Sequence, residues 1–158
     1  MTNLKRIKYR GGLVEFSIPA HWREEYEPAG GGTFYDDAPG SGTFRINVMT
    51  CQSQTEPSEQ MARTVLKDGI TTTTVEGFLL RREEKAVQEE RVPLHMTTWM
   101  VAVPVPPQTL RIASFTYTIF SGQQDDPRFA AEIELLDQRV REALYSQAPG
   151  VAGEHRPT

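Results

Sequence analysis

Alternation of apolar and polar residues predicts six β-strands in this chain. The clearest run is 110–120, where Phe115, Tyr117 and Ile119 alternate with serine and threonine. A period of two is typical of a strand with one buried face. Similar patterns predict the other strands at 13–18, 33–37, 43–50, 78–87 and 94–103. Because segment 78–87 has a charged centre, it is predicted at a sheet edge or projecting into water.

Two other segments repeat their apolar residues at helical spacing. The first, 57–68, starts with a proline and is followed by Gly69, the residue types that favour helix starts and ends. The second, 127–145, follows Asp126, whose side chain is suited to cap the first turn. The order is therefore three strands, a helix, three strands and a helix. Short connections between strands predict a mostly antiparallel sheet of the α+β class.

Length and composition indicate a single domain. The 158 residues fit one core, which we place at 1–145, and the segment 146–158 contains few apolar residues and is predicted to be a flexible tail. No apolar stretch suits a membrane helix or a signal peptide, so a cytoplasmic location without membrane insertion is expected. The single cysteine, Cys51, agrees with a reducing compartment.

The charge pattern argues against a nucleic-acid partner. Net charge is −4, and the lysines and arginines are scattered, whereas binding to a phosphate backbone requires them to cluster. The one basic cluster, at 5–10, is interpreted as a solvated leader.

No recognisable motif for catalysis or for a metal or other cofactor is present. His21, His95 and His155 are far apart and lack the spacing of metal ligands, so neither a metal site nor a cofactor is expected. Cys51 with His21 or His95 as its base is kept as one hypothesis, an atypical cysteine enzyme, although a buried structural thiol is favoured. The glycine-rich segments at 30–32 and 40–42 flank a strand and are interpreted as turns.

A polar sheet face is the main candidate for binding. Polar residues alternate with apolar ones on two predicted strands, and if those strands are neighbours they form a surface rich in hydroxyl groups. Solvent or a loop is the simpler occupant of such a face, and a binding groove for a ligand or a partner is the alternative. Trp22 and Trp99 are expected in the core, with an exposed interface role as the second interpretation of Trp22. The candidate binding residues are Trp22, Arg45, Asn47, Ser114, Thr116 and Thr118.

The stretch Phe16-Ser17-Ile18-Pro19-Ala20-His21-Trp22, together with the element order over 10–145, resembles the PsbP-like superfamily. This group includes the photosystem II extrinsic protein PsbP, the Ran nucleotide-release factor and uncharacterised bacterial proteins. The resemblance implies an α-β-α sandwich around a central, mostly antiparallel sheet of six to seven strands. It also implies binding or assembly roles, and it transfers no functional residue.

Two functions from different classes follow from these observations. The first is a non-enzymatic adaptor of a bacterial assembly that recognises another protein through its sheet face or loops. The second is a small-molecule-binding module that uses the polar sheet face around a pocket.

Overall fold

Two antiparallel sheets and two α-helices account for the regular structure of residues 3–149, the part of the chain that this computed structural model describes. The helices are α1 (Ser58–Val65) and α2 (Pro127–Glu142), and a 3₁₀ turn spans Gln123–Asp125. The strands are β1 (Leu4–Tyr9), β2 (Val14–Pro19), β3 (Arg23–Tyr26), β4 (Gly32–Tyr35), β5 (Thr43–Gln52), β6 (Thr72–Thr73), β7 (Leu79–Glu89), β8 (Val92–Val105), β9 (Thr109–Phe120) and β10 (Leu144–Tyr145).

The larger sheet has seven strands in the order β3-β4-β5-β9-β8-β7-β6, and the smaller sheet has three in the order β1-β2-β10. Every pairing is antiparallel. The predicted antiparallel α+β architecture is therefore confirmed. Strands β5 and β9 lie side by side although α1 and three strands separate them in the chain.

The two faces of the larger sheet pack differently because successive side chains of a strand point to opposite faces. On the inner face, Phe44, Trp99 and Phe115 are fully buried beneath α2 and the smaller sheet. On the outer face, α1 packs Ala62 and Leu66 against one end of the sheet. The two helices therefore lie on opposite sides, which gives the α-β-α sandwich that the sequence resemblance implied.

Helix α2 begins where the sequence predicts it. The Asp126 side chain accepts a hydrogen bond from the Arg128 N–H at 2.9 Å, and Pro127 occupies the first helical position. The helix ends at Glu142, before the predicted 145, because the chain turns into β10, which pairs with β2. The buried side chains of its apolar stripe are Phe129, Ile133, Leu136 and Val140.

The basic segment at 5–10 is not a solvated leader, and that expectation is wrong. Residues 4–9 form β1, which pairs with β2 along its whole length. Ile7 and Tyr9 are only 3% and 2% exposed, while Arg6 and Lys8 point outward. The alternation that identifies a strand is present, but basic side chains occupy its outward positions.

Residues 146–148 at the start of the predicted tail are hydrogen-bonded to the domain. The Ser146 N–H donates to the Leu13 carbonyl at 3.0 Å, and the Arg111 guanidinium donates to the carbonyls of Ser146 and Ala148 at 2.7 Å. The remainder of that prediction, 150–158, lies outside the described residues.

A buried carboxylate fixes α2 to the inner face. Asp137, which is 9% exposed, accepts a hydrogen bond from the Trp99 indole N–H at 2.9 Å. It also forms ion pairs with Arg82 at 3.2 Å and with Arg141 at 2.9 Å. Burial by itself raises the pKa of this carboxyl, but the hydrogen bonds from Arg141 and Trp99 outweigh it and hold the pKa below the ordinary 3.8.

Candidate binding surface

Beyond α1, the outer face of the larger sheet is not covered by any described element. The strand registers place Arg45 of β5 opposite Thr116 of β9, which in turn lies opposite Thr98 of β8. The cross-strand neighbours two residues before and after these positions continue this surface, because every second side chain of each strand points to the same face. We call this surface the open face, and its residues are Thr43, Arg45, Asn47, Met96, Thr98, Met100, Ser114, Thr116 and Thr118.

Five of the six predicted binding residues come together on the open face. Strands β5 and β9 pair directly, so Asn47 lies opposite Ser114 and Arg45 opposite Thr116. Arg45 and Asn47 are exposed, and Ser114, Thr116 and Thr118 are half-buried. The structure thus meets the condition set in the sequence analysis, that the two strands be neighbours, and the binding role of the residues remains a prediction.

The sixth predicted residue, Trp22, lies in the core. Its side chain is 3% exposed and stacks on the Tyr117 ring, with 6.5 Å between centroids and 12° between planes. Its alternative interpretation as an exposed interface residue is therefore wrong. The chain following Pro19 turns, since the Trp22 N–H donates to the Pro19 carbonyl, and this turn directs the indole inward.

Arg45 lies at the edge of a shallow depression in the open face. Within residues 3–149 its guanidinium has no ion pair or hydrogen bond. The depression has a volume of about 290 Å³ and is lined in part by Gly31, Asn47, Ser114 and Thr116. On the β4 side it is bounded by Gly31 and Gly32. The arrangement presents a cation, an amide and two hydroxyl groups, together with the carboxylate of Glu27, which also lines the depression.

Four methionines are an element of this surface that our sequence reasoning missed. Met96 and Met100 lie on the open face itself, and Met49 and Met61 flank it on β5 and α1. Met49 is 57% exposed. The signal was present in β8, where Met96, Thr98 and Met100 have the two-residue spacing of one strand face, but the apolar character of both faces concealed it.

The residues of the cysteine-enzyme hypothesis are not brought together. Cys51 lies opposite Leu110, beneath α1, and His95 lies opposite Ile119, nine positions farther along β9. At a rise of about 3.3 Å per residue, that spacing places them roughly 30 Å apart. His21 instead contacts Asp36 at 3.2 Å, near the opposite end of β5 from Cys51.

Metal ligands do not cluster either. No group of three or more histidine, cysteine, aspartate or glutamate side chains is placed to hold a metal ion within residues 3–149. His155 lies outside the described residues.

A polar cluster that includes a tyrosine with a raised pKa lies on the inner side of the sheet. Tyr117 donates a hydrogen bond to Glu132 of α2. Burial of the ring, and then the neighbouring carboxylate, raise the pKa of this phenol well above its ordinary value. Glu132 also pairs with Arg128 at 3.7 Å. These groups satisfy one another at the start of α2, so we interpret them as structural.

Comparison with known proteins gives matches in structure only. No protein-family model matches the chain, and no curated protein matches its sequence. A crystal structure of a Bacteroides thetaiotaomicron protein superposes with a TM-score of 0.61 and 13% identity over 92% of this chain. The match covers 49% of that protein, so this chain spans about half its length.

Two other solved structures match over nearly their whole length. LpqN of Mycobacterium tuberculosis, described as involved in cell envelope biogenesis, has a TM-score of 0.60 and 12% identity, with 89% of each chain covered. The Ran-binding protein Mog1p of Saccharomyces cerevisiae has a TM-score of 0.54 and 9% identity, with 91% of this chain and 96% of that chain covered.

The chain has the PsbP-like fold. Mog1p shares that fold, so the resemblance drawn from Phe16 to Trp22 and from the element order is confirmed at the level of architecture. Identities of 9 to 13% establish the PsbP-like fold and carry no residue-level function. Among the described residues, no helix is both long enough and apolar enough to cross a membrane.

Proposed function

We propose that this chain is a non-enzymatic adaptor that binds another protein through the open face. The observation that carries the proposal is the asymmetry of the larger sheet. Within residues 3–149, its inner face is sealed by α2 and the smaller sheet, whereas its outer face is covered only at the α1 end. A sheet face of this size that the described residues leave uncovered is a natural surface for a partner.

The composition of the open face suits a protein partner. Arginine and methionine are enriched in interfaces, and the open face carries Arg45 on its β5 side and Met96 and Met100 on its β8 side. Strand β7 adds charged residues beside them, Glu83 next to Thr98 and Lys85 next to Met96. Methionine side chains adapt their shape to a partner. The guanidinium of Arg45, which has no ion pair within residues 3–149, offers a bidentate contact to a carboxylate of the partner.

The structural neighbours support a binding role by analogy. Mog1p is described as Ran-binding, and LpqN as involved in cell envelope biogenesis. Neither description names a reaction. We propose a cytoplasmic location on the basis of the sequence.

Site-specific photocrosslinking tests the proposal. A photoreactive amino acid at Thr98, in the centre of the open face, is compared with one at Gln138, which is exposed on α2 on the opposite side. We expect one protein to be captured saturably from Thr98 and not from Gln138. The purified partner is then expected to bind the wild type and to lose affinity for Arg45→Glu. Equal capture from both positions, or unchanged affinity of Arg45→Glu, would contradict the proposal.

A small ligand with a carboxylate for Arg45 and a positively charged group for Glu27 is the second candidate, favoured by the depression that both side chains line. Gly31→Val separates the two functions because it fills the depression and leaves the rest of the open face unchanged. A Cβ at Gly31 meets only ordinary contacts, the nearest at 3.4 Å from the Glu27 carboxyl group, so the variant is expected to fold. If Gly31→Val binds the protein partner normally, the depression is not required. If a carboxylate ligand detected by NMR titration is lost in Gly31→Val, the second candidate is supported.

A further inference from the structure

Strand β7 has a free edge along most of its length. Strand β6 pairs only with Leu79 and Leu80, so from Arg81 to Glu89 the strand has β8 on one side and no strand of residues 3–149 on the other. Side chains 83–86, 88 and 89 are exposed. Such an edge presents unpaired backbone groups, which favour pairing with a further strand.

The direction of these backbone groups follows from the turn that precedes β7. The Thr74 N–H donates to the Phe78 carbonyl at 2.8 Å, so the backbone of Phe78 points away from β8. In an antiparallel ladder alternate residues point to alternate sides, and the register with β8 is unbroken from Leu79 to Glu89. The N–H and C=O groups of Ala86 and Gln88 therefore point outward, and those of Val87 point to β8.

The side chains at the end of this edge are self-complementary. The segment is Lys85-Ala86-Val87-Gln88-Glu89. If a second copy pairs antiparallel about a twofold axis at Val87, Lys85 lies opposite Glu89 of the partner subunit, and the same contact forms a second time by symmetry. Within the described part of the chain neither Lys85 nor Glu89 has an ion-pair partner.

Neighbouring registers bring like charges together. Centring the axis on Ala86 places Glu83 opposite Glu89 of the partner subunit, and centring it on Lys85 places two lysines opposite each other. Centring it on Gln88 leaves only 87–89 to pair, because the turn begins at Glu90. Like charges directly opposite each other destabilise a strand pair, so the charge pattern and the position of the turn together select the register centred on Val87.

We propose that two copies of this chain associate by antiparallel pairing of β7 over 85–89, centred on Val87, so that their larger sheets form one continuous sheet. The outward groups of Ala86 and Gln88 supply four backbone hydrogen bonds, and the two Val87 side chains meet at a non-hydrogen-bonded position. The pairing ends at the turn, where Glu90 and Arg91 have φ values of 49° and 70°. An interface of five residues per copy is small, which predicts a weak, concentration-dependent dimer.

Charge exchange tests the register by sedimentation velocity over a range of concentrations. Lys85→Glu and Glu89→Lys each convert two attractive contacts into repulsive ones and are expected to weaken the dimer about tenfold or more. The double variant Lys85→Glu/Glu89→Lys restores both contacts and is expected to recover the wild-type constant. All these side chains are exposed, so folding is not at risk. A monomer at every concentration, or a double variant weaker than both single variants, would overturn the proposal.

Backbone pairing is tested separately. Ala86→Pro removes an outward N–H that takes no part in the β8 ladder, a position where an edge strand accepts proline. It is expected to abolish the dimer with an unchanged far-UV circular dichroism spectrum. In a Cys51→Ser background, Val87→Cys is expected to form an intermolecular disulfide readily, since the Cα atoms of a non-hydrogen-bonded pair are about 4.5 Å apart. Gln138→Cys in the same background is the control, and equal crosslinking of the two would contradict the pairing.

Discussion

The carboxylate of Asp137 offers the most direct test of how α2 is held on the sheet. We consider Asp137→Ala, which removes the acceptor of the Trp99 indole N–H and the shared partner of Arg82 and Arg141. Trp99 is 0% exposed, so its N–H loses its partner where water cannot replace it. An unsatisfied buried donor costs about 1–3 kcal/mol.

The variant costs the two arginines less interaction energy than it costs Trp99. Arg82 keeps ion pairs with Glu84 and Glu134, and Arg141 keeps its hydrogen bond to Thr72 at 2.8 Å. Their side chains are 23% and 28% exposed, so water reaches both. The total therefore lies below the cost of breaking a fully buried ion pair, and we expect Asp137→Ala to lower the free energy of unfolding by about 2–4 kcal/mol.

Urea unfolding followed by far-UV circular dichroism measures this loss directly. We expect a lower midpoint with an unchanged slope, and a fall in Tm of roughly 5–15 °C for a domain of this size. Glu134→Ala is the matched control on the same helix, because its side chain is 65% exposed and, among the residues that the structure describes, pairs only with Arg82. It is expected to cost about 0–1 kcal/mol. If the two variants are equally stable, the buried network does not hold α2 in place.

Three further predictions concern other parts of the fold. The pKa of Asp137 is lower in the folded state than its ordinary 3.8. The stabilisation by its ionised carboxylate is therefore complete above pH 3.8 and is lost as the pH falls through the folded pKa. In urea titrations, the stability difference between wild type and Asp137→Asn should shrink below about pH 4. Gly42→Ala places a Cβ 2.4 Å from the Tyr117 ring and should cost about 1–3 kcal/mol in thermal unfolding, with Gly31→Ala near neutral. Asp126→Ala removes the α2 cap and should cost about 1 kcal/mol in urea unfolding.

Strong local signals made much of the fold predictable. The start of α2 follows from Asp126 and Pro127, which satisfy local requirements of a first helical turn whatever the rest of the chain does. Strand β9 follows from its alternation of apolar and hydroxyl-bearing residues, because only one of its faces is buried over most of its length. The largely free edge that β7 forms follows from the charges at its centre, which are typical of an edge strand.

Weak local signals explain why the sequence analysis did not predict β1 and β3 as strands. Strand β1 has basic residues at its outward positions, and β3 consists of Arg23–Tyr26, all exposed, so neither shows the composition of a buried strand. Their pairing with β2 and β4 supplies the stabilisation that their own sequences lack. The inward position of Trp22 likewise depends on a turn and on the ring of Tyr117, which lies far along the chain.

By itself, the sequence determined the class of the fold, the two helices and the alternation that separates a buried face from a polar one in β5 and β9. Only the tertiary structure decided that β5 and β9 are neighbours, that α1 covers one end of the outer face, and that Arg45 and the methionines share one surface. The physical reason is how far along the chain the deciding interactions reach. Periodicity and capping depend on residues within a few positions of one another, whereas strand order and the covering of a sheet are set by the burial that the whole chain achieves when it folds.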